Sequence, residues 1–530
     1  MGVGPRAGST RREFVAMLLG AAAACRVKGR AALPPGVLVE TGMQRGHAMR
    51  DGTFPGIHGS LPAVTTWRQA RVVIVGGGVA GLGAAWELRR RGVRDVLVLE
   101  LDDVFGGTAR GGSSTVTPYP WGAHYVVAPQ SPDEDLAVLL ESMGAIEAHA
   151  ADGTPIVDEA LRCREPEERV WHLGRWWEGL YLDAGASADD RAQLAAFRQE
   201  IDAWSGWREP QGRRGFAIPR SRGSDAAEVR VLDQISFAQW LDQRRLTSPR
   251  LRWLCDYGCR DDYALTAATT SAWAGLFYFA ARQKGPGAAS QTVVTWPDGN
   301  AALVRALAAG ANIERGSTVV DVSDDGTVTA MGPHGPFGIH ADAVIVATPT
   351  FVANRIVRSR RGQPHGDYGA WVVANVHLRG RPVERGHGAP PAWDNVFRDS
   401  PSLGYVCATH QRGRDRGPTV WTWYYPFTDE HPADVRKKLA GAGAAEWVAT
   451  IIADLERAHP DVRDHVEHIE VAFWGHGMIR PRVGSCWPPR NTAPTGKVHF
   501  AHTDLSGMAL FEEAFDHGLR AAREVAGALA

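Results

Sequence analysis

Apolar residues along the chain fall into a few sharply different patterns. Arg71-Val-Val-Ile-Val75 is a short β-branched run of the kind that fills a buried parallel strand, and Val96-Leu-Val-Leu99 is a second. Between them, Val79 to Arg91 has helical spacing. Leu251 to Arg260 also reads as a helix, whereas Trp421-Thr-Trp-Tyr-Tyr-Pro-Phe427 alternates as a strand does, so Tyr424 and Tyr425 must face opposite sides. Residues 26–69 are rich in Gly and Pro without periodicity and read as a surface linker.

One apolar run stands apart. Phe14 to Ala24 follows directly on Arg11-Arg12 and is too short and small-residued to span a bilayer. Residues 1–25 resemble a twin-arginine signal peptide, which implies handling by the twin-arginine translocase and a periplasmic or otherwise exported protein. Ala22-Ala23-Ala24 offers a cleavage site, and Cys25 offers a possible lipid anchor, although Ala22 sits where such anchors prefer a larger aliphatic residue. No later run is long enough for a spanning membrane helix.

Charge and composition narrow the classes. Lys+Arg 58 against Asp+Glu 59 leaves a net charge of −1, without the basic excess that phosphate backbones require, so no nucleic-acid partner is expected. With 44% hydrophobic and 22% charged residues, the chain has ample material for large cores, and 530 residues suit two or three domains. Cys255 and Cys259 share a helix face, but no second pair with ligand spacing accompanies them; a buried thiol pair is expected and no metal site.

The densest chemical signal follows the first strand. In Gly76-Gly77-Gly78-Val79-Ala80-Gly81, Gly76 permits a tight turn, Gly78 lets the backbone approach a pyrophosphate, and Gly81 lets the helix pack on the strand. The helix that opens there points unpaired N–H groups and its positive dipole end at phosphate. Glu100 ends the next strand, about 20 residues beyond Gly81, where a carboxylate reaches a ribose diol. A strand, a glycine turn, a helix and an acid in that order specify dinucleotide binding.

Further segments carry a resemblance. Gly106-Gly107-Thr108-Ala109-Arg110 follows the acid, then Pro120-Trp-Gly-Ala-His124-Tyr125. Trp296-Pro-Asp-Gly-Asn300, Ile313 to Val322, Ala341 to Pro349, and Lys497 to Asp504 followed by Gly507 to Ala522 come later in order. Together they resemble the flavin amine oxidase superfamily, which includes monoamine and polyamine oxidases, phytoene desaturases and protoporphyrinogen oxidases. The resemblance implies an α/β fold: a discontinuous Rossmann-like FAD-binding domain of the amine oxidase type (70–144, 292–350 and 495–530) interleaved with an α+β substrate domain (145–291 and 351–494). It implies FAD, held by Gly76, Gly78, Ala80, Gly81, Glu100, Gly106, Gly107, Thr108, Arg110, His124, Val319, Thr503, Asp504 and Phe511. Val319 would meet the adenine and Asp504 the ribityl–pyrophosphate region. The chain departs from the pattern at Thr108, where relatives carry Arg, at His502, where they carry Gly, and at Glu512-Glu513, which replaces Glu-Gly and is either structural or close to the flavin.

The resemblance implies hydride transfer from a small-molecule substrate to flavin N5, with the protein orienting a C–H bond and managing one proton. An amine is the first expectation; a desaturase or isomerase of an apolar polyene or lipid, or a non-catalytic flavin-binding subunit, are the alternatives. Acid-lined aromatic walls would favour the amine. Relatives that oxidise amines place a lysine near N5, on the strand that here reads Trp371 to Leu378; Asn375 or its neighbour takes that position, and the five lysines (Lys28, Lys284, Lys437, Lys438, Lys497) lie elsewhere. That substitution leaves dehydrogenase or isomerase chemistry open. His476, Arg480, Asn375 and Tyr424 are the catalytic candidates: His476 for a proton near neutral pH, Arg480 for a carboxylate or the flavin. Arg260-Asp261-Asp262-Tyr263 would either hold a cation or form an internal salt bridge. Some of Trp171, Trp176, Trp177, Trp204, Trp207, Trp240, Trp253 and Trp273 are expected along a substrate passage.

Overall fold

The computed structural model describes residues 32–53, 63–384, 388–487 and 492–530. Arg11-Arg12, the apolar run after them and Cys25 lie outside the described residues. No described helix is long and apolar enough to cross a membrane.

Two sheets organise the chain. The first has seven strands and is centred on Thr66–Val75, whose Val72, Val73, Ile74 and Val75 are buried. It runs parallel to Val96–Leu99 on one side and to Gly335–Val346 on the other, as expected of a strand covered on both faces. Asn312–Glu314 extends one edge; Thr327–Gly332 and Thr318–Val322 extend the other as an antiparallel meander; Val498–Phe500 pairs with the end of Gly335–Val346. Helices Val79–Arg90 and Phe511–Ala528 lie together against this sheet. Their approach depends on small residues: a Cβ on Gly518 would stand 2.2 Å from the Ala80 carbonyl oxygen.

The second sheet has eight strands, in the order Gly36–Val39, Val466–Ile479, Tyr368–Leu378, Thr419–Pro426, Gly404–Cys407, Asp394–Phe397, Glu168–His172 and Arg175–Glu178. Every residue of Tyr368–Leu378 is buried. Val372, Ala374 and Val376 face helices Pro432–Gly441 and Ala444–Leu455, while Trp371 and Val373 face the interior between the sheets. A helical group, Ala188–Gly206, Phe237–Gln243, Pro249–Tyr263 and Ala272–Ala280, closes the side. Ser187 with Asp190 and Ser236 with Gln239 form capping boxes that fix two of these helix starts.

Three expectations need correction. The stretch read as a linker, 26–69, supplies the strand Gly36–Val39, paired in parallel with Val466–Ile479, and the helix Met43–Arg50. A four-residue edge strand is held by backbone pairing and leaves no side-chain periodicity to read. Thr66–Val75 also begins before the apolar run, because its exposed first half pairs with the start of Gly335–Val346. None of the eight tryptophans named above lines the central cavity; Trp240 and Trp273 are core of the helical group, and Trp176 packs under the second sheet.

Candidate active site

A cavity of ≈ 500 Å³ lies between the two sheets, within the range of small-molecule and cofactor sites. One end is built by the glycine turn. Gly76 has φ 104°, and a Cβ there would press on the Ala347 carbonyl oxygen at 2.7 Å; a Cβ on Gly81 would stand 1.9 Å from the Gly76 carbonyl oxygen. Gly78 differs: it lines the cavity, and a Cβ there meets no protein atom within 4 Å, so it would enter the open space. Gly106 N–H donates to the Gly77 carbonyl at 2.8 Å, which seats the second glycine pair against the first. Helix Val79–Arg90 has no side-chain cap at Gly78, leaving its first N–H groups facing the cavity mouth.

The groups lining this end fit a dinucleotide. Glu100 accepts from Gly77 N–H at 2.7 Å and Asp102 N–H at 2.8 Å, so its carboxylate is oriented with lone pairs to spare; burial pushes its pKa up. Ser317 and Val319 line the same end. Thr348 Oγ1 and Asn300 Oδ1 are buried in the lining without a protein partner, as expected of polar atoms that await a ligand. Asp504 lines the middle. Burial opposes its charge, but His502 at 3.0 Å, the Tyr368 hydroxyl and Thr350 N–H at 2.7 Å hold its pKa below the usual carboxylate range.

Of the expected cofactor residues, Gly76, Gly78, Ala80, Glu100, Gly106, Gly107, Thr108, His124, Val319, Thr503, Asp504 and Phe511 line the cavity. Gly81 works behind the wall by its close packing. Arg110 does not face the cavity: its guanidinium pairs with Asp102 at 2.6 Å and donates to the Glu40 carbonyl, a partner supplied by the unforeseen N-terminal segment. Of the two acids at the start of the last helix, Glu512 lines the cavity, whereas Glu513 accepts from Arg220 N–H at 2.6 Å, and burial pushes it up to about 7.

The other end is aromatic and acidic. His124 lies 5.0 Å from the Tyr424 ring and 5.3 Å from those of Tyr125 and Trp393, centroid to centroid. Trp371 and Trp474 join the lining. Burial lowers His124 to about 4, so it presents a neutral ring. Asp262 pairs with Arg282 at 2.9 Å; this is the salt bridge expected of the acid pair, with a partner far along the chain in place of Arg260, which instead donates to carbonyls of Ser400, Pro401 and Ser402. Asp261 has no hydrogen bond or ion pair among the described residues, and its exposed surface opens onto the cavity it lines. Burial, then the neighbouring Asp262, push its pKa up. Asp394 and Glu168 stand side by side on parallel strands nearby; burial pushes Glu168 up to about 8, with Glu167 and Asp261 adding to it.

The catalytic candidates divide. Tyr424 lines the cavity and donates to the Gly122 carbonyl at 2.9 Å. Tyr425 faces away, against Phe427 and Trp447. His476 lines the cavity too, stacked on Phe351 at 4.3 Å, but burial and Arg436 lower it to about 3, so its ring is uncharged near neutral pH. Arg480 is outside: it is buried against Asp367, with Nε at 3.0 Å. Asn375 is also outside, donating to the Pro120 carbonyl at 3.1 Å and accepting from Thr422 at 2.7 Å. The residues that its strand sends to the cavity are Tyr368, Trp371 and Val373, and no described lysine lines it. Sequence reasoning missed Arg282, a lone arginine in a Gly-rich turn with no pattern to mark it.

Comparison with known proteins agrees with this geometry. A family model described as flavin containing amine oxidoreductase matches residues 176–526, and one described as NAD(P)-binding Rossmann-like domain matches residues 74–141. Among solved structures, wild-type putrescine oxidase bound to putrescine is similar over 87% of this chain and 99% of its own, with TM-score 0.60 and 20% identity. Cyclohexylamine oxidase from Brevibacterium oxydans IH-35A gives TM-score 0.58 at 17% identity over 87% and 99%. A CLA-producing fatty acid isomerase from P. acnes gives TM-score 0.56 at 15% identity over 86% and 98%. At these identities the likeness is one of fold. No curated protein sequence matches.

Proposed function

Since the chain belongs to the flavin containing amine oxidoreductase family and is an FAD-dependent oxidoreductase, we propose that its substrate is an amine, held as a cation by Asp261 beneath the aromatic wall. The observation that carries this reading is the unpaired Asp261 carboxylate on the cavity surface. A carboxylate so placed is costly to ionise alone and gains most from a cationic ligand. His124, Tyr125 and Tyr424 offer the ring surface that a cation prefers. The structural neighbours named for putrescine and cyclohexylamine support the same reading.

When bound, FAD supplies the two-electron acceptor that takes a hydride equivalent from the substrate carbon. This chain's residues prepare that step. Gly78, the open start of helix Val79–Arg90 and Glu100 hold the dinucleotide end. Trp371, Trp474 and Tyr424 exclude water and pin the substrate's apolar part. Asp261, with its raised pKa, accepts the ammonium proton and leaves a neutral amine and a protonated carboxyl. The charged groups of this end, Asp261, Asp262 and Arg282, set it against an apolar polyene. Export through the twin-arginine pathway belongs to the same proposal, supported by Arg11-Arg12 ahead of Phe14 to Ala24; that route carries folded proteins with the cofactor already inserted.

Anaerobic mixing with a panel of primary amines, amino acids and polyenes, followed by flavin absorbance, tests the proposal. Bleaching by amines is expected. Bleaching by polyenes alone, or by nothing but a chemical reductant, would overturn it.

A further inference from the structure

A second group of side chains lies on the same sheet face as the cavity wall but away from the cavity. His377 on Tyr368–Leu378 stands directly opposite His468 on Val466–Ile479, and Glu470, two residues along, stands opposite Asn375. Residues two apart on a strand share a face, so the register puts both imidazoles and the carboxylate together. The rings stack at 4.1 Å with 12° between their planes, and His377 Nε2 is 3.3 Å from Glu470 Oε2. One donor atom from each of the three lies within 4.8 Å of the others. We infer that His377, His468 and Glu470 form a binding site for a divalent first-row transition-metal ion, with Zn²⁺ as the representative.

Chemistry and surroundings support the assignment. Two imidazoles and a carboxylate are the donor set that such ions favour over calcium or magnesium, which prefer oxygen. Tetrahedral zinc, with bonds of about 2.0–2.1 Å, spaces its donors by roughly 3.4 Å, so side-chain adjustment of about 1 Å closes the set. The His468 ring has no hydrogen-bond partner among the described residues, and His468 and Glu470 reach the surface while His377 is buried, which gives an ion a route in. The Tyr119 hydroxyl donates to Glu470 Oε2 at 2.7 Å and the Tyr119 ring meets His377 edge-on at 5.1 Å, the outer support typical of a ligating carboxylate.

The site is separate from the cavity. Val373 lines the cavity and His377 lies four residues further, about 13 Å at roughly 3.3 Å per residue. Its effect would be structural: Pro118–Pro120 leads through Trp121 into Gly122 to Tyr125, which wall the substrate end, so an ion that fixes Glu470 and Tyr119 also fixes that wall.

The test uses the flavin-loaded protein after chelator treatment. Calorimetric titration with ZnCl₂ should show one ion per chain, and thermal unfolding followed by flavin fluorescence should shift upward with Zn²⁺. His468→Ala and Glu470→Gln should each weaken Zn²⁺ binding at least about tenfold while keeping the flavin spectrum, and Tyr119→Phe should weaken it by about 10-fold or more through the outer shell. No saturable Zn²⁺ uptake by the wild type, or uptake that His468→Ala and Glu470→Gln leave unchanged, would overturn the inference.

Discussion

Glu100 shows how much a single side chain can be asked to do. Both its oxygens already accept backbone N–H groups, so the carboxylate reaches the cavity rigid and needs no further ordering when a ribose hydroxyl arrives. Glu100→Ala should weaken FAD binding by about 1.5–3 kcal/mol, the range for a hydrogen bond to a charged group, measured as the dissociation constant of the released cofactor. Asp261 is predicted to act on the substrate alone. Asp261→Asn should raise KM for amines at least about tenfold, the scale of one lost charge-assisted contact, without changing the flavin spectrum. The pH dependence has a definite sign. The Asp261 pKa is raised, so the carboxylate gains charge as pH rises through a range above the ordinary aspartate value. Apparent amine affinity should therefore strengthen as pH rises, until the free amine loses its own proton, and Asp261→Asn should flatten the acidic limb. His476 should leave that limb in place: its ring is neutral above about pH 3, so His476→Asn is expected to change the rate without moving the pH profile.

At the scale of elements, the glycine turn and the strand Tyr368–Leu378 carry the site. Gly78→Val would push two methyl groups into the space where a pyrophosphate must approach, and purified protein should lose its yellow colour while the fold remains, as judged by circular dichroism. The turn was legible in the sequence because its parts are neighbours in the chain: strand, glycines, helix and acid lie within one local unit. The strand was legible as a strand, but not in its register at the cavity. Asn375 was the expected wall residue, and its parity is right, since it shares a face with Trp371 and Val373. What the sequence could not show is that Pro120 covers that part of the face, turning Asn375 into a buried hydrogen-bonding residue. Arg480 and Arg110 fail in the same way: each was placed by resemblance to the family, and each found a carboxylate, Asp367 or Asp102, before it found the cavity.

For the whole molecule, three separated segments meet around one cavity while the segments between them, with the N-terminal strand Gly36–Val39, build the second sheet and its helices. The cofactor end could be read from local motifs; the substrate end could not, because it depends on long-range meetings. Asp262 met Arg282, leaving Asp261 free to face inward, and His377 met His468 across ninety residues of intervening chain. Spacing rules for metal ligands see only pairs within one turn or loop, which is why no metal site was expected from sequence.

The central claim is that these segments enclose one FAD whose electrons come from an amine. Its most direct measurement is the visible spectrum of the purified, oxygen-free protein during titration with a reactive amine. The flavin bands present at the start should bleach to completion with one amine oxidised per chain. A colourless protein that takes up no FAD, or a yellow one whose bands no amine diminishes, would contradict the account.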